Sequence, residues 1–212
     1  MLEPPPRLPP PLVALISEHG QLERYAANDV LFHEGDASTG LYLLLSGRLK
    51  VHATAADGRE VTYNLLEPGE LLGELSMDGG ARTASVRALT DVTCILVDNR
   101  TARTLLRTQP DLAEHVLSLA ALRARRSTHM TRSMALESTR DRVLGLLERH
   151  AIADGDVWRV PTELTQQEIA NRIGASRETV NRAIGALVRE GIVRKDAGQR
   201  MSLLALARRR TG

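Results

Sequence analysis

Two groups of side chains in this 212-residue chain have types and spacings suited to chemistry, and in both it is the chemistry of binding. The first is Gly73-Glu74-Leu75-Ser76 followed by Arg82-Thr83-Ala84. Small residues let a backbone turn and present its amides, Arg82 can pair with a phosphate, Thr83 adds a hydroxyl, and Glu74 can accept from ribose hydroxyls. The same residues also suit a charged turn on a protein surface. The second group begins at Thr165-Gln-Gln-Glu168, a capping box in which the Thr hydroxyl takes the Glu168 amide and the Glu carboxylate reaches back to the Thr165 amide. A helix over Gln166–Ile173 follows, a turn at Gly174-Ala175, a second cap at Ser176, and a second helix over Arg177–Arg189 that ends at Gly191. Small Ala170, with Ile169, Ile173, Val180, Ile184 and Leu187, supplies a shared core at i, i+4 spacing.

That spacing is a helix-turn-helix, in which the second helix enters the major groove. Its leading side chains are Arg177, Glu178, Asn181 and Arg182, with Ser176 and Thr179 placed for phosphates and Thr165 and Gln166 at the start of the first helix. Arg suits guanine O6 and N7, and Glu suits the cytosine amino group. Ile192–Lys195 and Arg200–Leu203, joined by Asp196-Ala-Gly-Gln199, form a wing hairpin that puts Arg194, Lys195 and Arg200 within reach of phosphate. The alternative is a helical hairpin with a solvated charged face.

The elements that must carry these groups follow from the pattern. Pro4–Pro11 reads as an extended arm or unordered leader unable to hold a helix (residues 1–11). A short helix from Leu12 to about His19 comes next. Short β-type runs then follow at Val30–His33, Leu41–Leu45, Arg48–Ala53, Val61–Leu66, Ala84–Leu89 and Val92–Val97, punctuated by Gly35, Gly47, Gly58 and Gly69. This makes residues 12–109 a β-barrel. No Gly or Pro interrupts Asp111–Met134, and Leu112, Val116, Leu119, Met130 and Met134 recur at helical spacing, so residues 110–136 read as one long helix of about 25 residues, roughly 37 Å. Its apolar stripe is a candidate homodimer seam, the alternative being a stripe that packs on its own barrel. Residues 137–212 form a second, α+β domain with a helix over Arg140–His150 and a strand over Val157–Val160.

Composition narrows the function. A net charge of +2 hides −4 over residues 1–109, +2 over 110–136 and +4 over 137–212, so cations gather toward the helix-turn-helix. Of 28 cations only Lys50 and Lys195 are lysine, and Arg suits bidentate contacts to phosphate and guanine, although codon bias gives the same excess. A lone Cys94, read as a buried strand thiol, excludes an intrachain disulfide framework, a thiolate zinc site and a cysteine-ligated iron–sulfur cluster. His33 and His52 have no second ligand at a fitting spacing, so no metal or heme is expected. No Ser/His/Asp set or carboxylate pair converges, so the chain is not expected to be an enzyme. No apolar run approaches the roughly 20 residues of a membrane span, and no leader is evident, so a cytoplasmic protein is expected.

Taken in order, Gly40-Leu-Tyr-Leu-Leu-Leu-Ser-Gly47, Pro68-Gly-Glu-x-x-Gly-Glu-Leu75, Arg82-Thr-Ala84, a long helix, and Gln167-Glu-Ile-Ala with Ser176-Arg-Glu-Thr-Val180 resemble the CRP/FNR family of bacterial transcription regulators. The match is closest to its cAMP receptor branch. The resemblance implies an α+β chain with three parts in order: a double-stranded β-helix (jelly-roll) barrel of the cyclic-nucleotide-binding kind, a long dimerisation helix, and a C-terminal winged helix-turn-helix. It implies an allosteric homodimer gated by cAMP and bound to palindromic double-stranded DNA resembling TGTGA, with Arg177, Glu178 and Arg182 reading the half-site. Gly73, Glu74, Leu75 and Ser76 would open the cassette, with Glu74 on the ribose and Arg82 and Thr83 on the cyclic phosphate. Ser127 and Thr128 would meet the adenine, one from each subunit, and residues 155–163 would face RNA polymerase. One departure stands out: Glu74 and Arg82 are eight residues apart, where nine or ten is usual, so another effector or a vestigial cassette in a constitutive regulator is the alternative.

Overall fold

The computed structural model describes residues 5–155, 157–196, 198 and 200–204. The chain falls into two compact units: residues up to Ala53 with Thr62–Thr128, and Thr54–Val61 with the residues from His129 onward.

The first unit is built on antiparallel strands β1 (Gln21–Tyr25), β2 (Val30–Phe32), β3 (Gly40–Ser46), β4 (Leu49–Thr54), β5 (Glu60–Leu66), β6 (Leu71–Leu72), β7 (Ser85–Ala88) and β8 (Val92–Asp98). They form two four-stranded sheets, ordered β1-β8-β3-β6 and β2-β7-β4-β5, as a jelly-roll requires. The run Leu41–Leu44 is buried throughout because β3 is covered on both faces. Tyr42 and Leu44 point between the sheets with Leu49, Leu66, Leu72, Val86 and Cys94. Leu41 and Leu43 point the other way, into a layer made by helices α1 (Pro10–His19), α2 (Asn99–Thr108) and α3 (Pro110–Leu136). Asp98 starts α2 by accepting from the Arg100 and Thr101 amides.

Two expectations change here. Helix α1 begins at Pro10, inside the expected arm, because a proline in the first helical turn lacks only an N–H that needs no helical partner. The preceding extended residues are held down: Leu8 is buried and its amide donates to the Gly69 carbonyl at 2.7 Å, beside an Arg7–Glu67 ion pair. The stripe on α3 is also reassigned. Leu112 and Leu119 are buried in the core of their own barrel with Val116 against them, so this part of the stripe packs as the alternative had it, whereas Met134 of the same stripe is exposed, as are Leu117, at 69%, and Leu136. Burying two leucines contributes about 3–6 kcal/mol within the unit.

In the second unit, the end of α3 leads to α4 (Thr139–His150), the hairpin β9 (Ile152–Asp154) and β10 (Val157–Arg159), α5 (Gln166–Ile173), α6 (Arg177–Arg189), β11 (Val193–Lys195) and β12 (Met201–Leu204). The four strands make one sheet in the order β11-β12-β10-β9. Val143, Leu147, Ile169, Ala170, Val180, Ile184 and Leu187 share one core, as their spacing requires.

Candidate ligand cassette and nucleic-acid interface

Strand β6 pairs with β3 through Leu72 and Tyr42 and then stops at Gly73, whose φ of +93° only glycine adopts without strain. A side chain there would also collide: a Cβ on Gly73 would lie 2.6 Å from Arg82 Nη1 and 2.7 Å from the Gly40 carbonyl oxygen. A single 3-10 turn over Glu74–Ser76 follows. The short segment to Arg82 is closed locally. The Gly79 amide donates to the Ser76 carbonyl, the Gly80 amide to Asp78 Oδ1, and Ser76 Oγ to the Ala81 carbonyl. Arg82 is then pinned by its own backbone, donating to the Asp36 carbonyl at 2.8 Å while its carbonyl accepts from the Gly35 amide at 2.9 Å. The eight-residue spacing therefore still brings Glu74, Gly73 and Arg82 together.

Both charged groups are interior. Arg82 is 3% exposed and the Glu74 side chain is fully buried. Arg82 Nη2 donates to Thr39 Oγ1 at 3.1 Å and to the Gly40 carbonyl at 3.0 Å, whereas its Nε and Nη1 have no protein partner. Burial pulls the Arg82 pKa down, opposed by Tyr42, Glu74 and Asp36. An arginine nonetheless stays protonated. One Glu74 oxygen is taken by Arg123 Nη1, and the other, Oε1, has no partner. Leaving a buried donor or acceptor unpaired costs about 1–3 kcal/mol, more for a charged group. A buried cation owed an acceptor, beside a carboxylate owed a donor, matches a ligand bearing both an anion and hydroxyls.

Sequence reasoning missed Arg123, whose guanidinium reaches from α3 to Glu74 and to the Leu71 carbonyl at 2.8 Å. The signal was there, since Arg123–Thr128 is a polar stretch that interrupts the apolar stripe between Leu119 and Met130. Leu75 and Thr83 are exposed, as are Ser127 and Thr128 on α3, Thr128 Oγ1 donating to the Ala124 carbonyl. Ser76 is buried by its bond to Ala81 and serves the turn.

In the second unit, Thr165 Oγ1 accepts from the Glu168 amide as the capping box requires, but Glu168 Oε1 accepts from Arg172 Nε at 2.6 Å instead of reaching back. Gly174 takes the left-handed φ of +64° that favours glycine, and the chain turns directly into the Ser176 cap, whose Oγ accepts from the Thr179 amide. Arg177, Glu178, Asn181 and Arg182 stand exposed on one end of α6, and Arg182 is already joined to Glu178 at 2.8 Å and to Thr179 Oγ1 at 3.1 Å. The wing turn is tied by Asp196 Oδ1, which accepts from the Gly198 and Arg200 amides. Arg194 and Arg200 are exposed there and Lys195 is half-buried; Ala197 and Gln199 lie outside the described residues.

Comparison with known proteins agrees with both halves. Residues 22–109 match the cyclic nucleotide-binding domain family, and residues 141–208 match the Crp-like helix-turn-helix domain family. The chain is 33% identical over 190 residues to the "CRP-like cAMP-activated global transcriptional regulator" of Mycobacterium tuberculosis, covering 87% of this chain and 85% of that one. The chain belongs to the CRP/FNR family. It is also 34% identical to the "Cyclic AMP receptor protein" of Thermus thermophilus, over 90% of this chain and 88% of the relative. The c-di-GMP responsive regulator CLP of Xanthomonas campestris shares the family fold, with a TM-score of 0.76 over 91% of this chain and 98% of CLP at 21% identity. As a family member the chain is a DNA-binding transcription regulator with a cyclic-nucleotide-binding barrel. Among the described residues no helix is long and apolar enough to cross a membrane, and no group of His, Cys, Asp and Glu is placed to hold a metal ion.

Proposed function

We propose that this regulator is gated by cAMP bound in the barrel cassette and reads a palindromic TGTGA-like operator as a homodimer. The observation that carries the effector is the buried Arg82, with Nε and Nη1 unpartnered, beside the unpartnered Oε1 of Glu74. A cyclic phosphate answers the first and a ribose hydroxyl the second. Two relatives above 30% identity, both named for cAMP, support that choice over c-di-GMP. Support for the dimer comes from the outward face of α3, where Leu117, Ala121, Ala124 and Thr128 recur at i, i+4 and i+7 to i+11 spacing with Leu117 exposed. Small residues there let two helices approach closely, and the family resemblance then gives Ser127 and Thr128 the contact with the adenine, one from each subunit. Contact of the β9–β10 region with RNA polymerase, action in the cytoplasm and absence of catalysis complete the proposal.

A ligand gates DNA binding only through its differential affinity for the DNA-competent state, and DNA must raise the ligand's affinity by the same factor. Calorimetric titration with cAMP, cGMP and c-di-GMP, with and without a TGTGA palindrome, tests this. Tighter cAMP binding in the presence of the palindrome is expected; no cAMP binding at millimolar concentration ends the cAMP reading. The second reading, a constitutive regulator, is favoured by Arg123 already occupying one oxygen of Glu74. Full operator affinity in nucleotide-free protein would establish it.

A further inference from the structure

We infer that Phe32 is a positioning residue for the effector: its ring is the platform that sets the plane and depth of Arg82, and so selects which phosphate oxygen the guanidinium meets. The inference rests on the nucleotide reading of the cassette.

The chain holds five aromatic residues and a single phenylalanine, and that phenylalanine lies under Arg82. The guanidinium carbon is 4.2 Å from the centre of the Phe32 ring and 5.6 Å from that of Tyr42. The two rings are themselves 5.7 Å apart and tilted by 39°, so they form two adjacent walls. Tyr42 is in turn bonded through its hydroxyl to Thr39 Oγ1 at 3.3 Å, the same oxygen that accepts from Arg82 Nη2. Phe32 reaches this place because the pairing of β2 with β7 slips between Val30 and Phe32, a bulge that re-aims the last side chain of β2. Beyond Phe32 the chain makes the turn at Gly35-Asp36 that also pins the Arg82 backbone.

Every degree of freedom of Arg82 is thereby held on one side. Its backbone is bonded to Gly35 and Asp36, Nη2 to Thr39 and Gly40, and its guanidinium carbon lies over the Phe32 ring. Nε and Nη1 are left for the ligand. A desolvated cation over an aromatic face is worth more than an exposed one, because water no longer competes for the charge. An aliphatic residue at position 32 preserves apolar contact but removes the quadrupole and the flat surface, so the guanidinium is free to slide against the phosphate.

The test uses the full-length protein and the two phosphorothioate diastereomers of cAMP, which differ only in which exocyclic oxygen is sulfur. A guanidinium fixed at one oxygen distinguishes them. Wild type is expected to bind the two with clearly unequal affinity. Phe32→Leu is expected to weaken cAMP roughly ten- to thirtyfold and bring the diastereomer ratio close to one, and Phe32→Tyr to restore both. Equal weakening of both diastereomers with an unchanged ratio, or no weakening, overturns the inference while leaving the nucleotide reading intact. Failure of wild type to bind any cyclic nucleotide overturns the nucleotide reading and the inference with it. NMR provides a readout independent of ligand and tolerant of modest destabilisation. The Arg82 Hε resonance, assigned through Arg82→Lys, is expected upfield in wild type and Phe32→Tyr and to lose that shift in Phe32→Leu; a resonance that stays put overturns the platform.

Discussion

Arg123 closes on Glu74: a guanidinium from the long helix is paired with a fully buried carboxylate at the opening of the cassette and holds the Leu71 carbonyl with its other nitrogen. The pair therefore ties helix and cassette within the barrel unit. Removing only the cation strands a buried charge, which typically costs about 3–5 kcal/mol, whereas removing both charges costs less. Arg123→Leu is expected to lower the urea stability of the protein by an amount in that range, and the Glu74→Gln, Arg123→Leu double variant to recover part of it. A double-mutant cycle with coupling below about 0.5 kcal/mol would show that the two groups do not depend on each other.

On α6, Glu178 and Arg182 are joined to each other, while Arg177, the residue before Glu178, is exposed. A base-reading side chain changes specificity, and a phosphate-reading one changes affinity for all sequences. Arg177→Ala is expected to cost about 1–3 kcal/mol on operator and to relax base choice at one half-site position. Arg194→Ala on the wing is expected to weaken operator and random DNA alike and lower the salt slope by about one. Competition binding on a randomised half-site, repeated across salt concentrations, separates the two; identical behaviour of both variants would refute the assignment.

The second unit, apart from the three-residue strand β9, was legible in the sequence because its signals are local. Thr165, Gly174 and Ser176 each decide a helix end within four residues, and α5 and α6 fall on their expected bounds. The barrel strands were legible as short β-type runs between glycine-containing turns, except β1 and β6. Gln21–Tyr25 exposes most of one edge, and Leu71–Leu72 is too short to show a period. The α3 stripe was visible but not its direction, since an apolar stripe is the same whether its partner is the chain's own barrel or a second copy. Arg123, Thr39, Phe32 and Tyr42 could not be grouped with Arg82 from spacing, because long-range strand order brings them together.

Cys94 lies on β8 inside the barrel, and burial, with a lesser effect from Glu23, pushes its thiol up to about 12. The nucleophilic thiolate is then scarce at neutral pH and sheltered as well. Reaction with an aromatic disulfide reagent is expected only at the rate at which the barrel opens, rising to the full rate of a free thiol in denaturant. Rapid labelling of folded protein would place Cys94 outside the core.

His150 ends α4 with both ring nitrogens engaged: Nδ1 at 3.0 Å from the Leu146 carbonyl and Nε2 at 2.8 Å from Arg172 Nη1. A carbonyl only accepts, so Nδ1 carries the proton and Nε2 is the acceptor for Arg172. Protonating Nε2 would face two cations across that bond and release Arg172, which also holds Glu168 at the start of the helix-turn-helix. Burial holds the His150 pKa below its ordinary value of 6.5, Arg172 and Arg149 add to the effect, and the Leu146 carbonyl and Glu168 oppose it. A depressed value in the folded state means that the unfolded chain takes up the proton first, so stability present above 6.5 is lost as pH falls through the folded value. Burial of His115 in the barrel acts with the same sign, so total stability cannot assign the effect. An NMR titration of the His150 ring is expected to give a midpoint below 6.5, and His150→Gln to flatten part of the acid loss of stability. A His150 midpoint at or above the ordinary value would mean that the Arg172 bond is not formed in solution.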